Sequence, residues 1–448
     1  RGGRLVSEAG VLAVFHPATE GACHEAFHEY LYRIAGPRLP YPVYFCDWGP
    51  WLSFASEGDC LRTIPLCREA GIDIYMIDGA WKGWDKYAEA LLNPEASEPE
   101  WEAIPRRPNF PRGLQPVFEA CERNGLRLGL HYDCTRSHYG EIPDYPGRDE
   151  RYLEHEMAVR LVPERPEEVR GRGRNRECFA THYGDNLRRL ILYQAERYNL
   201  GLIKLDFYVI ADCLGKGHHH FRDGYDSTDQ QALKQIHLIE EAKRVRPDLY
   251  VYGYGQSPYW VRYVHHLHTR DPNIHGRMPP NHGFGVDYKY RTLAAERRAS
   301  WYERYWDRWT PSWAIKMDIG GYAFQQRTLV PLFPESTDHV VSQGVGWKQT
   351  LFSALATSLV RDFRLNLLFT SREDREFMRR WLQWGKENAE YLSRTKVFLS
   401  PPDWESLEGY SHLLDNRGFI FVFNPSFQLK ELSLVFDETA GFRKGGGR

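Results

Sequence analysis

The chain has 448 residues, with 58 Lys and Arg against 60 Asp and Glu and a formal net charge of -2 at pH 7. So even a balance gives no whole-protein field that would recruit nucleic acid or an anionic membrane, and no apolar run of about 18 residues reads as a membrane span. The length suits one barrel of ~250 residues or more with a smaller accessory unit.

Residues 1–37 hold a strand-like run at 11–15 and a helical pattern at 23–34, too little for a domain. They read as the tail of something upstream and a linker helix. Strand-like apolar runs then follow at 43–47, 72–78, 126–133, 202–208, 249–254, 264–269, 313–318 and 363–369. Between several of them, residues 60–71, 114–125, 185–199 and 230–246 space apolar side chains three and four apart and end near Gly, Asn or Pro, as helices do. Strand then helix, repeated, predicts βαβ units and a parallel sheet, and eight such strands predict a (β/α)8 TIM barrel over residues 38–384. Past Gly385 the texture changes: a short helix at 388–393 is followed by alternating segments at 410–414, 418–423 and 429–436, separated by Asp-Asn and Asn-Pro turns. Residues 385–448 therefore read as a small C-terminal antiparallel β domain, sandwich-like in pattern.

The chemistry is legible at the strand ends. Asp47, Asp78, Asp133, Asp206, Asp271 and Asp318 each close an apolar run, and barrel enzymes keep their working groups at the C-terminal tips of the strands. Six acids toward one rim predict a neutral ligand rich in hydroxyls. The loops after the second, third, fourth and sixth strands are long and rich in Trp, His, Arg and Pro, and loops of that size usually build a site. Aromatics make up 14% of the chain, with 14 Trp and 27 Tyr; core packing is their larger use, but such rings also stack on sugar faces. The eight Cys lack CxxC pairs or zinc spacing and read mostly as small buried hydrophobes, with room for a disulfide or two.

In their order along the chain these motifs resemble the melibiase clan of glycoside hydrolases, the α-galactosidases and α-N-acetylgalactosaminidases. A Trp-bearing first strand end (Asp47, Trp48, Trp51) is followed by Asp78, Gly79 and Trp81, then by His131 and Asp133, then by the Lys-x-Asp signature Lys204 and Asp206, then by Arg270 and Asp271. The resemblance runs from about residue 23 into the C-terminal β domain. It departs from the family at Gly79, where the family has a second Asp that holds a galactose hydroxyl, and at 253–257, where a Cys-Ser-Gly-Gly segment is replaced.

The resemblance implies a retaining exo-α-glycosidase acting on a terminal, galactose-like or modified hexose. One carboxylate attacks the anomeric carbon and one carboxylic acid protonates the leaving oxygen. Asp206 is then the nucleophile, with Lys204 keeping it ionised; the plainer reading is a structural Lys–Asp pair at the rim. Asp271 is the acid/base, with Asp318 as the next candidate, and Arg270 binds substrate. Asp78 and Asp133 accept sugar hydroxyls, or serve as caps and ion-pair partners. Trp48 and Trp81 wall the sugar, or pack. His131 and Gln256 complete the binding set. The expected partner is a carbohydrate, with no nucleic acid, no membrane, no cofactor and no metal, and homo-oligomeric assembly is implied by the family alone. His218, His219 and His220 leave a metal-dependent hydrolase, isomerase or lyase as a second reading, although three adjacent His do not converge on one ion without an irregular loop. The basic, Gly-rich run 171–176 lacks a P-loop pattern. A non-catalytic sugar-binding barrel is the third reading.

Overall fold

A computed structural model describes residues 20–37, 39, 41–48, 55–105, 108–134, 177–206, 213, 224–254, 258–268, 312–314, 316–319, 347–399, 406–424 and 428–443. The strand-like run at 11–15 lies outside them. The N-terminal helix α1 (Glu20–Ala35) leads into β1 (Tyr44–Cys46), α2 (Glu57–Ala70), β2 (Ile74–Ile77), α3 (Trp84–Leu92), α4 (Glu98–Glu102), α5 (Gln115–Arg123) and β3 (Arg127–Asp133). Then come α6 (His182–Arg197), β4 (Leu202–Asp206), α7 (Gly224–Val245), β5 (Tyr250–Tyr254), β6 (His266–His268), β7 (Lys316–Ile319), α8 (Trp347–Thr357), β8 (Val360–Phe363), α9 (Arg372–Glu387) and α10 (Ala389–Leu392).

The helices start and stop where local chemistry demands. Ser56 and Asp59 form a reciprocal capping box at the head of α2, satisfying donors the helix leaves open, and Gly71 ends it at φ 84, a left-handed conformation that a Cβ would strain. Chain reversal there delivers the next strand directly: Ile72 N returns to Cys67 O and Asp73 N to Val43 O.

The eight strands form one parallel sheet in the order β6-β5-β4-β3-β2-β1-β8-β7. That is the cyclic order of a barrel, with β1 pairing both β2 and β8. The sheet is curled, and no ladder joins β6 to β7 among the described residues. Residues on both faces of β1, β2, β3 and β4 are buried, which is why their sequences are near-continuous apolar runs. Gly129 permits this closeness on β3: a Cβ there would meet Ile74, Met76 and Leu202 side chains at 3.2–3.3 Å.

The predicted eighth strand, 363–369, is displaced. The observed strand is Val360–Phe363, and Leu367–Phe369 forms a 3-10 turn capped by Asn366, whose side chain accepts from Leu368 N. Burial of Arg361 and Asp362 explains the miss, because a strand carrying two buried charges does not look apolar.

A separate three-stranded antiparallel sheet, β9 (Thr395–Val397), β10 (Glu408–Leu414) and β11 (Arg417–Phe423), follows in the order β11-β10-β9. Its hairpin turns at Asp415 and Asn416, with φ 49 and 62, the positive values that a tight two-residue turn needs. The predicted strand at 429–436 is not formed. Those residues are irregular, and Leu429, Val435 and Phe436 are exposed. Trp384 of α9 packs edge-on against Phe419 at 4.8 Å, and His412 Nε2 lies 3.1 Å from Ala356 O at the end of α8, so the small sheet is fastened to the helical layer.

All eight cysteines are free, seven of them buried, as small-hydrophobe behaviour predicts. Among the described residues no helix is long and apolar enough to cross a membrane.

Candidate active site

β3 and β4 pair so that His131 lies beside Lys204 and Asp133 beside Asp206. Because side chains two residues apart on a strand share a face, this register sets two cationic or neutral groups and two carboxyls in one square at the strand tips. Asp78 comes from the end of β2, fixed where its own carboxyl caps Gly79 N at 2.8 Å.

Lys204 Nζ lies between two acids, 2.8 Å from Asp78 Oδ2 and 3.2 Å from Asp206 Oδ2. Burial disfavours its ammonium, yet the Asp78 and Asp206 carboxylates outweigh that and hold its pKa above the usual lysine value. Burial likewise penalises the Asp78 carboxylate, but the Lys204 ammonium outweighs the penalty and keeps Asp78 well below the usual carboxylate range.

His131 also contacts Asp206: its Nε2 is 3.1 Å from Oδ2. Its Nδ1 is 2.8 Å from Lys82 Nζ, and Lys82 in turn forms a fully buried ion pair with Asp133 Oδ2. Burial pulls the Lys82 pKa below its usual value despite Asp133. Three aromatic donors anchor the rim of β3. Trp81 Nε1 donates to His131 O at 3.0 Å, and the Tyr87 and Tyr183 hydroxyls donate to Asp133 O at 3.3 and 2.8 Å.

Asp206 is 7% exposed, whereas Asp133 and Trp81 are 0% exposed. The sequence placed Asp133 and Trp81 among the sugar contacts. The structure puts both one layer behind: Asp133 faces Lys82, and Trp81 packs edge-on against Tyr87 and Tyr132. Asp78, His131, Lys204 and Asp206 are brought together. Trp48 is half-buried against the core just past β1. Asp318 lies on β7, opposite Asp362 in the sheet register. Asp271, Arg270, Gln256, Trp51, the three histidines 218–220 and the loop 171–176 lie outside the described residues.

Sequence reasoning missed Lys82, which looks like a solvated loop lysine until Asp133 and His131 are found around it. It also missed Asp362 and Arg364 as a buried pair at 2.9 Å. Only the end of an apolar run marked β8, and that run was read too late. Asp47 was noted as a strand end, but its contact with Asp78 was not foreseen: Asp78 N donates to Asp47 Oδ1 at 2.7 Å. Among the described residues no group of three His, Cys, Asp or Glu side chains is arranged to hold a metal ion.

The curled parallel-sheet fold has counterparts among solved structures. The fold is shared with α-galactosidases. The GH36 α-galactosidase AgaA of Geobacillus stearothermophilus superposes with a TM-score of 0.56 at 15% identity, covering 87% of this chain and 48% of that one. A variant of the same protein in complex with 1-deoxygalactonojirimycin gives 0.58 at 16% identity, with 87% and 49% coverage. The α-galactosidase of Lactobacillus brevis gives 0.60 at 12% identity, with 90% and 49% coverage. The chain thus spans about half the length of these α-galactosidases. No family model matches the chain, and no curated protein matches it.

Proposed function

We propose that the chain is the barrel portion of a retaining α-glycosidase that removes a terminal, galactose-like hexose from a carbohydrate. In this reading the curled sheet closes as a (β/α)8 barrel over residues 38–384, with the β domain of 385–448 packed on its side. The observation that carries it is the convergence of Lys204 Nζ and His131 Nε2 on one oxygen of Asp206, at 3.2 and 3.1 Å. Two donors on one carboxylate oxygen favour the ionised form, which is the form a nucleophile needs. The solved α-galactosidases that share the fold include variants bound to raffinose and stachyose, which are carbohydrates ending in an α-linked sugar, and this supports the substrate class.

Asp206 attacks the anomeric carbon and forms a glycosyl ester, which water then hydrolyses from the opposite face, the one the leaving group vacated. Asp271 supplies the proton to the leaving oxygen and later takes one from the water. Lys204 and Asp78 hold sugar hydroxyls, with Arg270, Gln256, Trp48 and Asp318 lining the remainder. Gly79 leaves out the carboxylate that the family uses on a galactose hydroxyl, so a sugar altered at that position is accepted as well as galactose.

The test is a panel of aryl α- and β-glycosides with the anomer of the first product followed by NMR. Net retention on an α-glycoside, and a fall of about 10³-fold or more in Asp206→Asn, are expected. Inversion, or full activity in Asp206→Asn, refutes the assignment.

A further inference from the structure

We propose that His131 is a positioning residue for Asp206, locked as its Nε2–H tautomer by Lys82, with Asp133 neutralising Lys82 behind it. This inference rests on the glycosidase reading above for its consequence, but not for its geometry.

The tautomer follows from donor chemistry. An ammonium has three protons and no lone pair, so a ring nitrogen 2.8 Å from Lys82 Nζ can only accept. The proton of the neutral ring therefore sits on Nε2, where Asp206 Oδ2 accepts it at 3.1 Å. A proton on Nδ1 would face the Lys82 ammonium, so the geometry calls for an accepting Nδ1 although carboxylates surround the ring. The charged groups facing it are Asp206 and Lys204 from β4, Asp78 from the end of β2 at 3.8 Å, Asp133 from its own strand at 4.0 Å, and Lys82 from the turn after β2. Asp133, Lys82, His131 and Asp206 are then one connected run of hydrogen bonds, in which Lys82 donates both to Asp133 and to His131, and His131 donates to Asp206. Its first three members are fully buried or nearly so.

Its effect on catalysis is orientation. Lys204 and His131 both hold Oδ2, and in the proposed mechanism the other oxygen, Oδ1, makes the attack. In the first displacement a lone pair of Oδ1 forms the bond to the anomeric carbon as the bond from that carbon to the glycosidic oxygen breaks. That oxygen keeps the electron pair and takes the proton of Asp271. Oδ2 becomes the carbonyl oxygen of the ester, still held by the two donors. They polarise it for the second displacement, in which water attacks the anomeric carbon, the bond to Oδ1 breaks with its electrons returning to the carboxylate, and Asp271 takes the proton of the water.

The experiment is ¹⁵N-histidine NMR of the full chain, with the His131 signals identified by their loss in His131→Gln, combined with kinetics of His131→Leu, His131→Gln and Lys82→Met on an aryl α-galactoside. An Nε2–H tautomer at neutral pH is expected. In Lys82→Met the ring loses the donor that fixes Nδ1 as the acceptor, and a mixture of the two neutral tautomers is expected. Since Lys82→Met strands a buried Asp133 charge, Lys82→Met/Asp133→Asn serves as the second variant. His131→Leu lowers kcat about 10²-fold with little change in KM, as for loss of a fixed donor to developing charge. His131→Gln, whose amide donates to Asp206 and accepts from Lys82, recovers most of that loss. An Nδ1–H tautomer or an imidazolium at neutral pH overturns the chain, whatever the enzyme does. Equal kcat in the Leu and Gln variants overturns the positioning role. If no glycoside is turned over, the function proposed above falls, and the tautomer with its response to Lys82→Met still decides the hydrogen-bond chain.

Discussion

The backbone amide of Asp78 donates to Oδ1 of Asp47 at 2.7 Å, and these two neighbouring carboxyls are driven in opposite directions. Asp47 is fully buried, and burial raises its pKa well above the usual carboxylate value despite the Asp78 amide. Its Oδ2 has no hydrogen-bond partner among the described residues. Asp78, equally enclosed, is held down by Lys204. Although they come from adjacent strands, the two carboxyls are therefore pushed toward opposite protonation states.

For Asp78→Asn we expect a loss of stability of about 3–5 kcal/mol at neutral pH, since Lys204 loses its nearer carboxylate in a buried place. A depressed folded pKa stabilises the fold above the unfolded carboxyl's ~3.9, and that contribution fades as pH falls from there toward the folded value. Urea denaturation at pH 7 and at pH 3 should show the gap between parent and variant narrowing in acid.

Asp47→Asn should behave in the reverse manner. A raised folded pKa means the fold holds its proton longer than the unfolded chain, so stability drains away as pH rises from ~3.9 through the folded value. Asn does not titrate. The variant should match the parent in acid and equal or exceed its melting temperature at pH 7; a large loss there would show that Asp47 is needed as an anion.

Trp81 separates a packing role from a sugar wall. Trp81→Ala should cost about 3–5 kcal/mol of stability, the usual range for deleting a large core ring. Trp81→Phe keeps most of the volume but leaves His131 O without its donor, at a cost of about 1–3 kcal/mol. A stable Trp81→Ala protein with only KM raised would return this ring to the substrate.

Arg361 is a buried guanidinium whose Nε and Nη2 have no hydrogen-bond partner among the described residues, and burial pulls its pKa down to about 10. Gly385 makes room for it: a Cβ there would stand 3.2 Å from Nη1 and 2.8 Å from Leu355 Cδ2. Arg361→Met should raise stability by roughly 1 kcal/mol or more, because it removes an uncompensated charge while keeping an apolar chain of similar length. Gly385→Ala should lower it by about 1–3 kcal/mol through overpacking. Thermal unfolding of the two variants checks both signs.

Most of the strands were legible because an acid closes their apolar run, as at Asp47, Asp78, Asp133, Asp206 and Asp318, while β5, ending at Tyr254, was marked by its apolar run alone. β8 was not legible, because Arg361, Asp362 and Arg364 are buried against expectation for charged residues. Alternation at 429–436 suggested a strand, but alternation records only a half-buried face, and Leu429 and Val435 find none. At the site, the Lys204 and Asp206 pair was visible as a spacing within one strand. Lys82 was not, because its partners are 49 and 51 residues away in sequence and only the β2–β3 register brings them near.

The carbonyl of Asp133 receives hydroxyls from Tyr87 on α3 and Tyr183 on α6, two helices of the outer layer. Small tilts of either helix, from a substitution on its far side or from a neighbour leaning on it, would thus be transmitted to the tip of β3 and so to the ring that faces Asp206. Tuning of reactivity in this protein is open to residues that never touch Asp206.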